Sequence, residues 1–179
     1  MNEAFDTLYA LAERSQRIAV QLPSRESTQT HWNGLGFSLM GQRFVVPMAE
    51  VAELVRVPQT TNLPGVKPFV TGVANVRGRL LIVIDVSLFF GEPSSFPRAQ
   101  RRILAFDMEE QYIGFLIDES LGMQHFRAES FSESAGDIDE RFWPYVNGCY
   151  DASGTVWPVF SLRKLAEDPA LEKLASAAA

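Results

Sequence analysis

The sequence predicts a mostly β protein of the barrel or sandwich type. From Leu35 to Phe160, short apolar runs of strand length follow one another, separated by glycine, proline or polar residues. The runs do not alternate with long helical segments, so a parallel α/β fold is not expected. The 179 residues suffice for one domain, or for two small halves that share a core.

Composition narrows the class of partner. The formal net charge is −6, which disfavours nucleic acid or an anionic membrane surface as partner, because both attract basic faces. Cys149 is the single cysteine, so we expect no disulfide framework and a cytoplasmic location. The first twenty residues carry acids and no unbroken apolar core, so they predict neither a signal peptide nor a membrane anchor.

The pattern divides the chain into three regions. Residues 1–33 are predicted as an N-terminal amphipathic helix and a polar linker, since apolar residues recur at helical spacing before a Ser-, Thr- and Gln-rich stretch. Residues 34–165 form the predicted β domain. Residues 166–179 are a predicted helical tail, with a short helix that starts at Asp168-Pro169.

The β domain begins with a predicted hairpin. "LGFSLMGQRFVVP" contains two apolar strands that meet at Gly41-Gln42. The next stretch, "MAEVAELVRV", fits either one helical turn or a bent strand. A loop with two prolines and a glycine, "TTNLPGVKPF", follows it.

A second hairpin is predicted around the stretch "NVRGRLLIVIDV". Val70–Val76 and Leu80–Leu88 are its arms, and Arg77-Gly78-Arg79 is its corner. Gly78 can adopt the positive φ that a short hairpin loop commonly requires. Leu80–Ile84 is apolar on both faces, so this strand is either covered on both sides or offers one side to a partner.

The strand pattern then starts again. A third hairpin is predicted with its polar corner at Glu109–Gln111, and an acidic loop leads to two final strands that meet at Ser153-Gly154. "QRFVVPMAEVAEL" and "EQYIGFLIDESLG" share a polar corner, an aromatic residue, an apolar run and an acid near the end. This weak similarity suggests two related β-halves.

Residues that could carry chemistry are sparse. There is no phosphate-binding glycine motif, and His31 and His125 lack the spacing of a metal site, so we expect no cofactor and no metal. Cys149 reads as a buried apolar residue, although a nucleophile assisted by His125 is an alternative. Arg98, Arg101 and Arg102 are expected to be solvated in an exposed connector.

The central stretch resembles the signature of CheW-like domains, the adaptors of bacterial chemosensory arrays. In that signature a Pro-x-Phe-Val-x-Gly-Val-x-Asn-x-Arg-Gly segment precedes an apolar strand that closes on an aspartate. The matching residues here are Pro68, Phe69, Val70, Gly72, Val73, Asn75, Arg77, Gly78 and Asp85. "FVVPMAEVAEL", "YIGFLIDESLGM" and "GTVWPVFSLRKL" also follow the family pattern, so the resemblance covers roughly Gly34 to Leu165.

The resemblance implies a fold and a role. The fold is two five-stranded, SH3-like β-barrel halves that share a hydrophobic core, with N- and C-terminal helices. The role is that of a non-catalytic adaptor between the cytoplasmic tip of a methyl-accepting chemoreceptor and the regulatory domain of a CheA-type histidine kinase. Departures from the common pattern, such as Ile82 and Val86, resemble the branch that serves type IV pilus twitching systems. The implied location is cytoplasmic, at receptor arrays of the inner membrane.

We predict that the receptor- or kinase-binding surface is built from residues of this signature and its flanks. The candidates are Val51, Glu53, Leu54, Asn75, Arg77, Gly78, Asp85 and Ile117. Arg77 has two interpretations: its guanidinium shapes a groove for the receptor, or it pairs with Asp85 or another acid of its own hairpin and contributes local order only.

Two other functions remain open at this level. A CheW-like scaffold could compete with the kinase for receptors. A small-molecule-binding barrel could line its pocket with Trp143 and Trp157, although aromatic residues at this density usually belong to a core.

Overall fold

The computed structural model describes residues 31–108 and 111–172. Within these ranges, strands predominate, and helices are short. The strands are β1 (His31–Leu39), β2 (Gln42–Pro47), β3 (Glu53–Arg56), β4 (Val70–Val76), β5 (Arg79–Asp85), β6 (Arg102–Met108), β7 (Gln111–Ile117), β8 (Glu119–Arg127), β9 (Phe131–Ser132), β10 (Val146–Ala152) and β11 (Thr155–Phe160). The α-helices are α1 (Val86–Phe89) and α2 (Leu162–Ala166), and 3₁₀ turns span Met48–Glu50, Ala128–Ser130 and Glu140–Tyr145.

The strands form two sheets, which we call A and B. Sheet A has the order β8-β1-β2-β11-β10-β9, and sheet B has the order β3-β6-β7-β5-β4. Neighbours are antiparallel except for β2 with β11 and β5 with β7. The mostly β, two-barrel prediction is confirmed, with one difference in strand number: the two-residue strand β9 gives sheet A a sixth strand.

Each sheet curls so that its edges approach each other. In sheet A, the edge strands β8 and β9 are consecutive and are joined by the turn Ala128–Ser130. In sheet B, Thr61, beyond the end of β3, exchanges two backbone hydrogen bonds with Val73 of β4, at 2.8 and 2.9 Å. Gly72 permits this approach, because a Cβ there would lie 2.3 Å from the Thr61 carbonyl oxygen.

Apolar side chains form one shared core and two smaller ones. The shared core takes Phe37 and Phe44 from sheet A and Phe115 from sheet B, and Leu165 of α2 completes it. A second core fills sheet B, and a third fills sheet A around Trp157. The shared hydrophobic core predicted from the family resemblance is therefore present.

The position of β5 explains its two apolar faces. Leu81 and Val83 point into the core of sheet B, whereas Ile84 points into the shared core. The sequence leaves open whether this strand is covered on both sides or offers one side to a partner. The structure confirms coverage on both sides for most of β5. Leu80 is the exception, since 63% of its surface is exposed.

Three hairpins close with two-residue turns of the same kind. Met40-Gly41, Arg77-Gly78 and Ser153-Gly154 each have positive φ at both residues, which is the requirement of a type I′ turn and matches the twist of the flanking strands. The predicted corners at Arg77-Gly78 and Ser153-Gly154 are confirmed. The first hairpin turns one residue earlier than predicted.

Replacing Gly78 by valine should destabilise the domain by about 1–2 kcal/mol, because a β-branched residue resists the left-handed conformation. Gly78 has φ +82°, and no heavy atom lies within 4 Å of the place that a Cβ would take, so the cost is conformational and not steric. Chemical denaturation measures it. Gly78→Asn is the control and should cost less, and an unchanged midpoint for Gly78→Val would contradict the turn assignment.

Several element boundaries differ from the sequence prediction. The arm predicted as Leu80–Leu88 ends at Asp85, whose carboxylate accepts hydrogen bonds from the Ser87 and Leu88 amides and so starts helix α1. The ambiguous stretch after β2 contains both candidates, a 3₁₀ turn and then strand β3. Strand β1 begins at His31, inside the segment predicted as linker.

Arg101 corrects the prediction of a solvated connector. Its guanidinium is buried and makes a bidentate ion pair with Asp85, with N–O distances of 2.7 and 2.9 Å. It also donates to the carbonyl oxygens of Leu116 and Ile117. Asp118 lies 3.8 Å from the Arg101 Nε.

This buried cluster joins the two sheets. Asp85 and Ile117 belong to sheet B, whereas Asp118 accepts a hydrogen bond from the Met40 amide at the first hairpin of sheet A, at 2.7 Å. Because these hydrogen-bond donors and acceptors are buried together, the position of each side chain depends on the hydrogen bonds that the others make. Arg98, by contrast, is exposed and bonds Pro58 and Thr60.

The two similar segments noted in the sequence have equivalent places in the fold. "QRFVVPMAEVAEL" crosses from sheet A to sheet B, and "EQYIGFLIDESLG" crosses back. In each, the first strand pairs in parallel with another strand, β2 with β11 and β7 with β5. The suggestion of two related halves thus has a structural counterpart.

Some predictions fall outside the described residues. These are the amphipathic helix and most of the linker within residues 1–30, the corner at Glu109-Glu110, and the end of the tail. Residues 169–172 are helical, in agreement with the helix predicted at Asp168-Pro169, and Leu171 packs in the shared core. None of the helices in the described ranges has the length and apolar character that a bilayer span requires.

Candidate docking surface

The chain leaves sheet A for sheet B through residues 48–54, and this segment carries exposed apolar side chains. Met48 is 40% exposed and Leu54 is 42% exposed, while Val51 between them is half-buried against the shared core. We call this segment, with the Arg77-Gly78 turn beside it, the crossover surface.

An ion pair connects the two parts of the crossover surface. The Arg77 guanidinium lies 2.9 Å from a Glu53 carboxylate oxygen, with the two side chains 81% and 23% exposed. Glu53 begins β3 and Arg77 follows β4, which are the opposite edges of sheet B. The pair therefore spans the closure of this sheet. Such an exposed pair is worth about 0–1 kcal/mol to stability.

Arg77 occupies a backbone position that suits other residues better. Its φ is +51°, a conformation that costs an L-residue roughly 1–2 kcal/mol and that glycine or asparagine adopts more easily. The turn is supported by Asn75, whose side-chain oxygen accepts a hydrogen bond from the Gly78 amide at 2.9 Å. Strain retained at an exposed charged residue is a common property of functional sites.

A second ion pair lies at the same end of sheet B. Arg79 donates two hydrogen bonds to Asp107, at 2.6 and 2.8 Å, and its guanidinium stacks 4.3 Å above the ring of Tyr112. The hydrogen bonds from Arg79 lower the pKa of Asp107. Burial raises the pKa of Tyr112, and the nearby charge of Glu53 adds to that effect. Arg79 therefore favours the ionised form of Asp107, and burial favours the neutral form of Tyr112.

The predicted site residues separate into two groups. Val51, Glu53, Leu54, Asn75, Arg77 and Gly78 lie on or beside the crossover surface. Ile117 is only 1% exposed and Asp85 is 7% exposed, so both are corrected to interior positions. The predicted alternative partner of Arg77 is also wrong, because Asp85 pairs with Arg101 and Arg77 pairs with Glu53.

Sequence reasoning missed other residues of this region. Met48 follows Pro47 in a stretch that fits either a helical turn or a bent strand. No apolar–polar pattern in this stretch predicts that the Met48 side chain is exposed. Leu80 belongs to a strand for which the sequence leaves open both coverage on two sides and a side that faces a partner, and it is not among the predicted site residues. Glu50 reaches Ser161, 111 residues away, and no short-range signal predicts such a contact.

The structure also places the residues that were considered for nucleophilic catalysis or metal binding, Cys149 and His125. Cys149 is buried, and burial raises the pKa of its thiol, which is the opposite of what a nucleophile needs. The Nδ1 of His125 is 2.7 Å from the Asn33 side-chain oxygen. Among residues 31–108 and 111–172, no three histidine, cysteine, aspartate or glutamate side chains converge as metal ligands.

Trp143 and Trp157, the tryptophans predicted to line a pocket in the small-molecule alternative, lie in different surroundings. Trp157 packs in the core of sheet A, whereas Trp143 is half-exposed on the turn Glu140–Tyr145. Two surface clefts, of about 350 and 600 Å³, are lined by other residues near Ala99. The small-molecule alternative loses its proposed pocket.

Two curled sheets on a shared core, with an exposed apolar surface at their crossover, are typical of a docking module. A family model described as the CheW-like domain matches residues 33–170. The chain belongs to the CheW-like domain family, and its function is that of a CheW-like adaptor in chemosensory signalling.

Individual relatives agree with this placement. The chain is 40% identical over 163 residues to Protein PilI of Pseudomonas aeruginosa, covering 91% of both chains. It is 26% identical to the chemotaxis protein CheW of Bacillus subtilis, over 47% of this chain and 54% of that protein. The crystal structure of the scaffolding protein TtCheW from Thermoanaerobacter tengcongensis has the same fold, with a TM-score of 0.67 and 22% identity over 78% of this chain and 94% of that one.

Proposed function

We propose that this adaptor bridges the cytoplasmic tip of a methyl-accepting chemoreceptor and the regulatory domain of a CheA-type histidine kinase. It acts in the cytoplasm at receptor arrays, in a system that controls type IV pilus motility, and it catalyses no reaction. The likeness to Protein PilI supports the pilus system, because it extends over nearly the whole chain whereas the likeness to Bacillus subtilis CheW covers about half.

The crossover surface is the proposed receptor contact. Met48 and Leu54 offer apolar area, and Glu53 with Arg77 forms a charged rim beside it. A receptor tip built from helices can lay an apolar stripe on such a surface while its charged residues meet the rim. The exposed Arg77–Glu53 ion pair beside Met48 and Leu54 is the single observation that carries this proposal, because a surface pair of this kind stabilises the fold by only about 0–1 kcal/mol.

Replacing Arg77 by alanine should weaken receptor binding by about 1–3 kcal/mol, which is roughly 5- to 150-fold in Kd. The reason is loss of the guanidinium at the rim and of its hold on Glu53. Calorimetric titration with a receptor cytoplasmic fragment, and separately with the kinase regulatory domain, measures the effect.

Arg77→Asn separates binding from folding. Asparagine tolerates the positive φ, so this variant should unfold at the wild-type midpoint or later and still bind weakly. Wild-type affinity of both variants for both partners would remove Arg77 from the site. Retained receptor binding without any kinase binding by the wild-type protein would favour the competing-scaffold function instead.

A further inference from the structure

Glu50 makes a long-range contact that the docking surface as described does not use. It ends the 3₁₀ turn Met48–Glu50, and its carboxylate accepts hydrogen bonds from the Ser161 hydroxyl, at 3.1 and 3.3 Å, and from the Arg163 amide, at 3.2 Å. Ser161 and Arg163 belong to the start of helix α2, at the far end of the described chain.

Helix α2 is a rigid anchor for this contact. Ser161 is buried and caps the helix by accepting from the Lys164 amide. Leu162 and Leu165 of the same helix are packed in the shared core. A side chain that is hydrogen-bonded to α2 therefore has a fixed position relative to the shared core.

Upstream of Glu50 the crossover segment continues directly from strand β2, and downstream of Glu50 its hydrogen bonds attach it to sheet B. The Ala52 amide bonds the Ala105 carbonyl at 2.8 Å, and Glu53 pairs with Arg77. Both links attach the segment to sheet B. Among the side-chain hydrogen bonds of residues 48–54, those of Glu50 are the ones that reach α2, which follows the last strand of sheet A.

We propose that Glu50 is a positioning residue for the crossover surface. By holding the turn Met48–Glu50 to α2, it sets where Met48 stands relative to Leu54, which the pairing of β3 with β6 already fixes, without itself touching the partner. This inference rests on the proposed receptor contact, and it adds that the C-terminal helix shapes that contact.

A double-mutant cycle tests the proposal. Glu50→Ala should weaken binding of the receptor fragment about five- to tenfold, and Met48→Ala should weaken it by a similar factor. In the Met48→Ala background, Glu50→Ala should weaken binding by less than about twofold, because the contact that Glu50 positions is already absent. Equal losses in both backgrounds would overturn the positioning role, whereas no loss from Met48→Ala would count against the docking surface itself.

Two further variants test whether the effect is specific to the hydrogen bonds of Glu50. Glu50→Gln keeps an acceptor oxygen and should restore most of the affinity. Glu140→Ala removes an exposed glutamate from another 3₁₀ turn and should bind like wild type.

Hydrogen exchange provides a readout that needs no partner. Glu50→Ala should speed exchange of amides in residues 48–54 at least fivefold, while the amides of the Arg77-Gly78 turn keep wild-type rates. Unchanged exchange in residues 48–54 would overturn the proposal whatever the binding results.

Discussion

Replacing Arg101 by alanine should lower the free energy of unfolding by about 3–5 kcal/mol, because it leaves buried carboxylates without their cation. Arg101 is the bidentate partner of Asp85 and also bonds two backbone carbonyls. Denaturant titration followed by circular dichroism measures the loss, which is a large fraction of the roughly 5–15 kcal/mol by which domains are typically stable.

The neighbouring arginine supplies the control. Arg102 donates to the carbonyl oxygens of Ala99, Gln100 and Arg101, so its side-chain hydrogen bonds stay within its own stretch of chain. Arg102→Ala should cost less than about 1 kcal/mol. If Arg101→Ala fell within the same range, the buried pair would not be needed to hold the sheets together.

Replacing Gly72 by alanine should destabilise the domain by about 3 kcal/mol or more, since backbone strain and a steric clash coincide there. Gly72 has φ +137°, and an added Cβ would lie 2.3 Å from the Thr61 carbonyl oxygen. To relieve the clash, the Thr61–Val73 bridge that closes sheet B has to open.

Gly65→Ala separates strain from clash. Gly65 has φ +75° but no heavy atom within 4 Å of a Cβ, so this variant should cost only about 1–2 kcal/mol. Equal unfolding midpoints for the two alanine variants would show that the approach of Thr61 contributes nothing, and thermal denaturation is sufficient to compare them.

Local patterns predicted much of the fold because the forces behind them are local. Alternating apolar runs and glycine at turn positions depend on neighbours in the sequence, so the hairpins at Arg77-Gly78 and Ser153-Gly154 were found. The end of β5 is not predicted correctly, because Asp85 fits the strand pattern in the sequence. Only the structure shows that its carboxylate caps a helix.

The candidate site was predicted in part for the same reason. Glu53 and Leu54 are candidates because their segment resembles the family pattern, and Arg77 stands at a corner that Gly78 marks in the sequence. Asp85 and Ile117 are predicted at the surface but are buried. A strand that is buried on both faces has no alternation of apolar and polar residues, so the sequence does not show that these residues lie in the interior. The hydrogen-bond partners of the Arg101 and Glu50 side chains lie at least 14 residues away along the chain, too far for sequence periodicity to predict them.

The two crossings between the sheets set an order for biosynthesis. Sheet B is built from the unbroken stretch 53–117, whereas sheet A combines β1 and β2 with strands made after residue 118. The ribosome therefore completes all the strands of sheet B while β2 still lacks its neighbour β11. The nascent protein has to carry an unfinished sheet edge until Thr155–Phe160 has been made, and chaperones can shield that edge in the meantime.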